Sequence, residues 1–223
     1  MKTDDHNLWA EFLKGNQLAF ISIYDRYVDM LCIYGSKLTA DKELIKDCVQ
    51  DVFFDLYVKR HTLSKTDNIK FYLLRTFKNS VIRKLTRERR IRELNRTVVT
   101  DFQVEYSFES KVIFNETEEE KRRLVERILN KLNHEQKEIL FLRFMDGLNY
   151  NEISEMTGIR ADSVKKQVYR IVKKIRAVLG PKSNFTVILI HTVFSTNSRG
   201  RIPSSNPAAN SYNHHLCSSK QIS

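Results

Sequence analysis

Apolar residues recur at three- and four-residue intervals through most of the first 180 positions, the period of helices that bury one face. Leu8, Trp9, Phe12 and Leu13 open the pattern, and Gly15-Asn16 is placed to end a first short helix. Phe20, Ile23, Tyr24, Tyr27, Val28, Leu31 and Cys32 continue it in a second helix, expected to stop near Gly35. Asp41 is positioned to cap a third, whose buried stripe is Leu44, Ile45, Cys48, Val49, Val52, Phe53 and Leu56. A fourth runs from about Asn68 to Arg92 and becomes steadily more basic. Three more helices span Leu132–Leu179. Asn133 with Gln136, and Asn149 with Glu152, have the spacing of capping boxes, and Thr157-Gly158 is a turn, because glycine takes the left-handed geometry of a helix end. Val164, Val168, Ile171, Ile175 and Val178 line one side of the last helix. Strand-type alternation is lacking, so the expected fold class is all-α.

The periodicity breaks twice. Residues 97–117 mix aromatics with acids without a sustained helical period and read as a flexible linker. After Leu179, Gly180-Pro181 ends the last helix, and residues 181–223 contain no acidic residue and much Ser and Asn. That composition is expected to stay disordered. The resulting division is a four-helix domain at 1–96, the linker at 97–117, a helix-turn-helix domain at 118–180 and a tail at 181–223.

Charge sharpens this picture. The formal net charge is +11, but Ile69–Arg96 alone holds ten Lys/Arg against two acidic residues, and Ile159–Arg176 holds seven against one. Two basic patches on an otherwise acidic chain imply two contacts with a polyanion. The outer face of the last helix carries Asp162, Lys166, Tyr169 and Lys173, flanked by Lys165, Arg170 and Arg176, which suits a DNA major groove. The third helix instead turns Glu43, Asp47, Gln50 and Asp51 outward, a strip suited to an arginine-bearing protein partner. Cys32 and Cys48 fall within apolar stripes, and Cys217 lies in the tail, with no CxxC spacing. His214-His215 is an adjacent pair without partners. Neither a metal site nor a phosphate loop nor a nucleophile–base motif is recognisable, so no cofactor, no catalytic centre and no small-molecule substrate are expected. The amino terminus lacks the apolar run of a signal peptide, and the expected location is cytoplasmic.

Three ordered motifs resemble one family. ELIKDCVQDVFFDLY, at residues 43–57, resembles the D-x-V-Q-[DE]-V-F signature of bacterial RNA polymerase sigma factors. FYLLRTFKNSVIRKL resembles their promoter-melting segment, and Leu132–Leu179 their promoter-reading domain, with its D-G-L-x-Y-x-E-I run and the [ST]-V-K that opens the recognition helix. Two domains with only a short linker between them are typical of the extracytoplasmic-function (ECF) group.

This resemblance implies three contact sets. Asp47, Gln50, Asp51 and Phe54 would dock on the clamp helices of the polymerase's largest subunit. Tyr72, Arg75, Lys78, Asn79, Arg83, Lys84, Arg87 and Arg90 would engage the −10 element and its separated strand, cations along the backbone and Asn79 at a base edge. Arg160, Ser163, Lys165, Lys166, Tyr169, Arg170 and Lys173 would bind the −35 duplex, with Lys166, Tyr169 and Arg170 best placed to reach the groove and the phosphate contacts setting position rather than sequence. Implied partners are core RNA polymerase, including its flap region, promoter DNA and an anti-sigma factor. Arg160 departs from the family's usual Ser or Thr cap, and Arg83 from a frequent Asp. The alternative reading is a helix-turn-helix regulator acting without polymerase, although an acidic docking strip has no evident use in such a protein.

Overall fold

The computed structural model describes residues 2–91, Phe102 and residues 116–179. Those residues form eight α-helices and no strand: α1 (Lys2–Leu13), α2 (Gln17–Leu38), α3 (Lys42–Val58), α4 (Ile69–Ile91), α5 (Glu116–Asn130), α6 (His134–Phe144), α7 (Tyr150–Thr157) and α8 (Ala161–Leu179). A 3-10 turn at Arg60–Thr62 follows α3. The first four helices pack as one bundle, with α3 against both α2 and α4, and α8 gathers α5, α6 and α7 into a second. The tail, with Cys217 and His214-His215, lies outside the described residues.

Local signals place the helix starts. The Asn16 side chain accepts from the amides of Leu18 and Ala19, and that of Asp41 from Glu43 and Leu44. Each satisfies backbone donors that have no partner within the helix, worth about 1 kcal/mol apiece. Both expected capping boxes are present, at Asn133/Gln136 and Asn149/Glu152, and Gly158 ends α7 at φ 75°. Residues of the α8 stripe are buried at Val164, Val168, Ile171 and Ile175, and Leu179 extends it.

One boundary differs from expectation. α2 passes through Gly35 and ends at Leu38. Gly35 is buried, and a Cβ added there would sit 2.8 Å from Phe77 Cζ and 3.0 Å from Ile45 Cγ2. The missing side chain serves helix packing, not termination: it lets α2 approach α3 and α4 closely.

The two bundles also meet. Phe102, from the stretch expected to be a linker, is fully buried, its ring centroid 6.0 Å from Tyr34 of α2 and 5.6 Å from Phe141 of α6. Tyr34 and Phe141 lie 6.1 Å apart and Tyr34 and Phe77 6.4 Å apart, so apolar packing runs from one bundle into the other.

Gly35→Ala tests the close approach. Ala is the better helix former, yet overpacking here is expected to destabilise the chain by about 1–3 kcal/mol. A lowered midpoint in chemical denaturation, partly restored when Phe77→Leu is added, is the expected result.

Candidate nucleic-acid and polymerase interface

On α8 the apolar stripe faces inward, and Lys165, Lys166, Tyr169, Arg170 and Lys173 are exposed on the other side, Tyr169 at 66%. Arg160 stands at the cap position, where its carbonyl accepts from the amides of Ser163 (2.8 Å) and Val164 (3.0 Å); its side chain is exposed. Ser163 is half-buried, and Asp162 occupies the first turn, where negative charge suits the helix dipole. Among the described residues, no ion pair involves a cation of α8.

The cations of α4 are in a different state. Arg75, Asn79, Arg83 and Arg87 follow at four-residue intervals and form one exposed ridge. At its start, Arg75 donates to Glu155 of α7 at 2.7 Å. Lys78, expected to hold DNA, is buried instead, because α6 and α7 cover it: its ammonium donates to the Glu138 carboxylate at 2.7 Å and to the Met156 carbonyl at 3.0 Å. Lys84 turns toward α3 and donates to Asp51 at 2.7 Å, with Asp47 at 4.0 Å. Tyr72 is half-buried against Trp9, ring centroids 5.4 Å apart, and the Trp9 indole N–H donates to the Ser64 carbonyl. The side chain of Arg90 lies outside the described residues.

The strip on α3 is exposed throughout. Asp47, Gln50, Asp51, Phe54 and Val58 follow one another on one face, with Phe54 at 65% and Val58 at 52% exposure. Two large apolar residues left in water at the end of an acidic ridge have the character of interface anchors.

Sequence reasoning missed Tyr34, Glu138, Asp146 and Glu155, all at the junction of the bundles. The Tyr34 hydroxyl donates to the same Glu138 oxygen as Lys78, at 2.5 Å. Burial, then the neighbouring Glu138 charge, push the Tyr34 phenol well above its ordinary pKa, which keeps it a donor. One signal was available: Lys78 sits between Leu74 and Val81 on the apolar side of α4, and Glu138 heads the apolar run of α6. Two opposite charges on buried faces call for each other. Asp146, in the turn after α6, is also buried, and one of its carboxylate oxygens has no partner. Burial raises its pKa from 3.8 to about 7, against the opposing charge of Lys70.

Residues 23–91 match Sigma-70 region 2, and residues 122–175 match Sigma-70, region 4. The ECF RNA polymerase sigma factor SigM of Bacillus subtilis (strain 168) is 21% identical over 156 residues, 70% of this chain and 92% of that protein. The chain belongs to the ECF sigma factors. As such it directs core RNA polymerase to promoters. Among solved structures, this sigma factor is similar to CnrH in its complex with the cytosolic domain of CnrY (TM-score 0.48, 21% identity, 80% of this chain and 99% of that one). It is also similar to the sigma factor RpoE in complex with the anti-sigma factor NepR from Bartonella quintana (TM-score 0.48, 16% identity, 74% of this chain and 98% of that one). No described helix of this sigma factor is long and apolar enough to cross a membrane, and no group of three or more metal-ligating side chains occurs among the described residues.

Asp146 gives the sigma factor a pH signature. With a folded pKa near 7 against 3.8 unfolded, the native state holds a proton that the unfolded state releases between these values. The Asp146 contribution to stability therefore falls as pH rises from about 4 to about 7 and is level above that. Asp146→Asn is expected to remove this slope and to stabilise the chain at pH 8 by on the order of 2–4 kcal/mol, with little effect at pH 4. Thermal unfolding of both proteins across that range provides the measurement.

Proposed function

We propose that residues 1–96 bind core polymerase and open the −10 element, that residues 118–180 read the −35 duplex, and that residues 97–117 join the two. The observation that carries this division is the contrast between two exposed faces. α8 buries Val164, Val168, Ile171, Ile175 and Leu179 on one side and offers unpaired cations with one projecting tyrosine on the other, as a major-groove reader requires. α3 offers carboxylates and an exposed phenylalanine, which suits an arginine-bearing protein partner and not DNA. An ordinary helix-turn-helix regulator has no use for the second face.

In this mechanism binding energy replaces catalysis. Asp47, Gln50 and Asp51 accept hydrogen bonds from the clamp helices of polymerase while Phe54 fills an apolar pocket. Lys166, Tyr169 and Arg170 read base edges, and Arg160, Ser163, Lys165 and Lys173 fix the helix on phosphates. The α4 ridge of Arg75, Asn79, Arg83 and Arg87, continued by Arg90, tracks the separated strand, with Lys78 and Lys84 joining it on release from their carboxylates. Tyr72 supports that ridge from its base on Trp9. Contact with the polymerase flap, an anti-sigma partner and action in the cytoplasm belong to the same reading and rest on family membership alone.

Three variants separate the roles. Phe54→Ala, at an exposed position, is expected to leave the denaturation midpoint unchanged and to weaken core-polymerase binding by about 2 kcal/mol, roughly 30-fold; Asp51→Arg goes further and abolishes co-elution. The double variant Lys166→Glu/Arg170→Glu is expected to co-elute normally with core polymerase but to lose promoter-directed run-off transcription at least tenfold. Unchanged transcription from that double variant would remove α8 from the −35 contact.

A further inference from the structure

Residues 181–223 contain no acidic residue, and their cations are Lys182, Arg199, Arg201 and Lys220. One stretch among them is not polar: Val187, Ile188, Leu189, Ile190, Val193 and Phe194 are apolar, with only His191 and Thr192 between them. A β-branched run without a formal charge associates with other surfaces unless something covers it. The first bundle has a surface of matching character. Leu18, Ile21 and Tyr24 follow at three-residue intervals on α2 and are 73%, 45% and 39% exposed. Asp25 lies four residues after Ile21 and Asp29 four after Asp25, both exposed, so two carboxylates border that stripe. We infer that Val187–Phe194 docks on the α2 stripe of its own chain, apolar side chains on Leu18, Ile21 and Tyr24, with Arg199 and Arg201 beside Asp25 and Asp29.

This contact goes beyond the proposed function, which uses neither the α2 stripe nor the tail. Size decides between a separate protein and a tethered segment. A stable interface between separate proteins buries about 1,000 Å² or more, and three partly exposed side chains fall short of that. A segment joined to the same chain is held at a millimolar effective concentration, so a smaller contact is enough. Length permits it. α8 ends at Leu179 and Phe194 is 15 steps further on, roughly 50 Å at most. A compact chain of that many residues has a radius of gyration of about 16 Å, so the run can reach a helix of the first bundle. The start of α2 also borders an open groove against α1, lined among others by Leu8, Glu11, Leu18 and Ala19. That groove offers an apolar side chain a seat with a further carboxylate at its edge.

Photo-crosslinking in the full chain tests this. Phe194→p-benzoylphenylalanine keeps an aromatic ring in the run, and mass spectrometry maps the peptides it captures. At least half of the crosslinks within a single chain are expected to fall in Gln17–Asp29. Adding Leu18→Asp/Ile21→Asp, at two exposed positions, should lower that yield at least fivefold, with circular dichroism checking that the helices remain. Ile190→Asp, which alters no residue of either bundle, should lower it as far and decides the matter if the α2 variant loses helix. Arg199→Glu/Arg201→Glu should at least halve it at low salt and change it less at 1 M salt. Crosslinks spread over both bundles, or a yield that neither the α2 nor the Ile190 change reduces, would overturn the docking. An equal mixture of unlabelled and nitrogen-15-labelled chains identifies the occupant. Pairs of like label are expected; mixed pairs would show the tail of a second copy and overturn the contact within one chain.

Discussion

The Glu138 carboxylate accepts from the Tyr34 hydroxyl of α2 and the Lys78 ammonium of α4, and so ties α6 to two helices of the other bundle at a single oxygen. Burying an ammonium and a carboxylate costs several kcal/mol for each ion unless their hydrogen bonds are met. Here Lys78 also donates to the Met156 carbonyl, and Glu138 Oε1 accepts from Tyr34 as well as from Lys78. Such a contact has a particular energetic character. It loses little when both ions return to water together, but leaving either one buried alone costs about 3–5 kcal/mol. The junction is therefore intact or fully open, with no favourable halfway position. An apolar seam of the same area would lack that property.

The helix ends reinforce the same contact. Glu152 caps α7 with one carboxylate oxygen, on the Asn149 amide, and accepts from the Asn68 side chain with the other. Asn68 in turn accepts from the Phe71 amide at the start of α4. Two helix starts from different bundles are thus joined through their own capping groups. Strengthening one helix start orients the other, and the polar groups used at the junction are ones the helices require in any case.

What was legible in the sequence follows the range of the interactions. Asn16, Asp41, Asn133 and Asn149 announce helix starts because a cap bonds two or three residues away, and the stripe from Val164 to Ile175 announces a buried face because its period is local. The exposed faces of α3 and α8 follow by subtraction. Gly35 was misread because a glycine that ends a helix and one that admits a neighbouring ring look alike until Phe77, 42 positions on, is in place. Lys78 reads as a strand-binding cation in the sequence because its partner lies 60 positions away in another bundle. Phe102 carried no signal at all, standing in a stretch without a period.

Phe102 also changes what the connection between the bundles can measure. From Ile91 to Glu116 the chain takes 25 steps, and at about 3.3–3.6 Å each these span roughly 85 Å at most, more than the ~70 Å of two turns of B-DNA. Measured from Phe102, seated beside Tyr34, the 14 steps to Glu116 span roughly 50 Å at most. A single phenylalanine, buried between Tyr34 and Phe141, thus cuts the longest possible reach of the connecting chain from roughly 85 Å to roughly 50 Å.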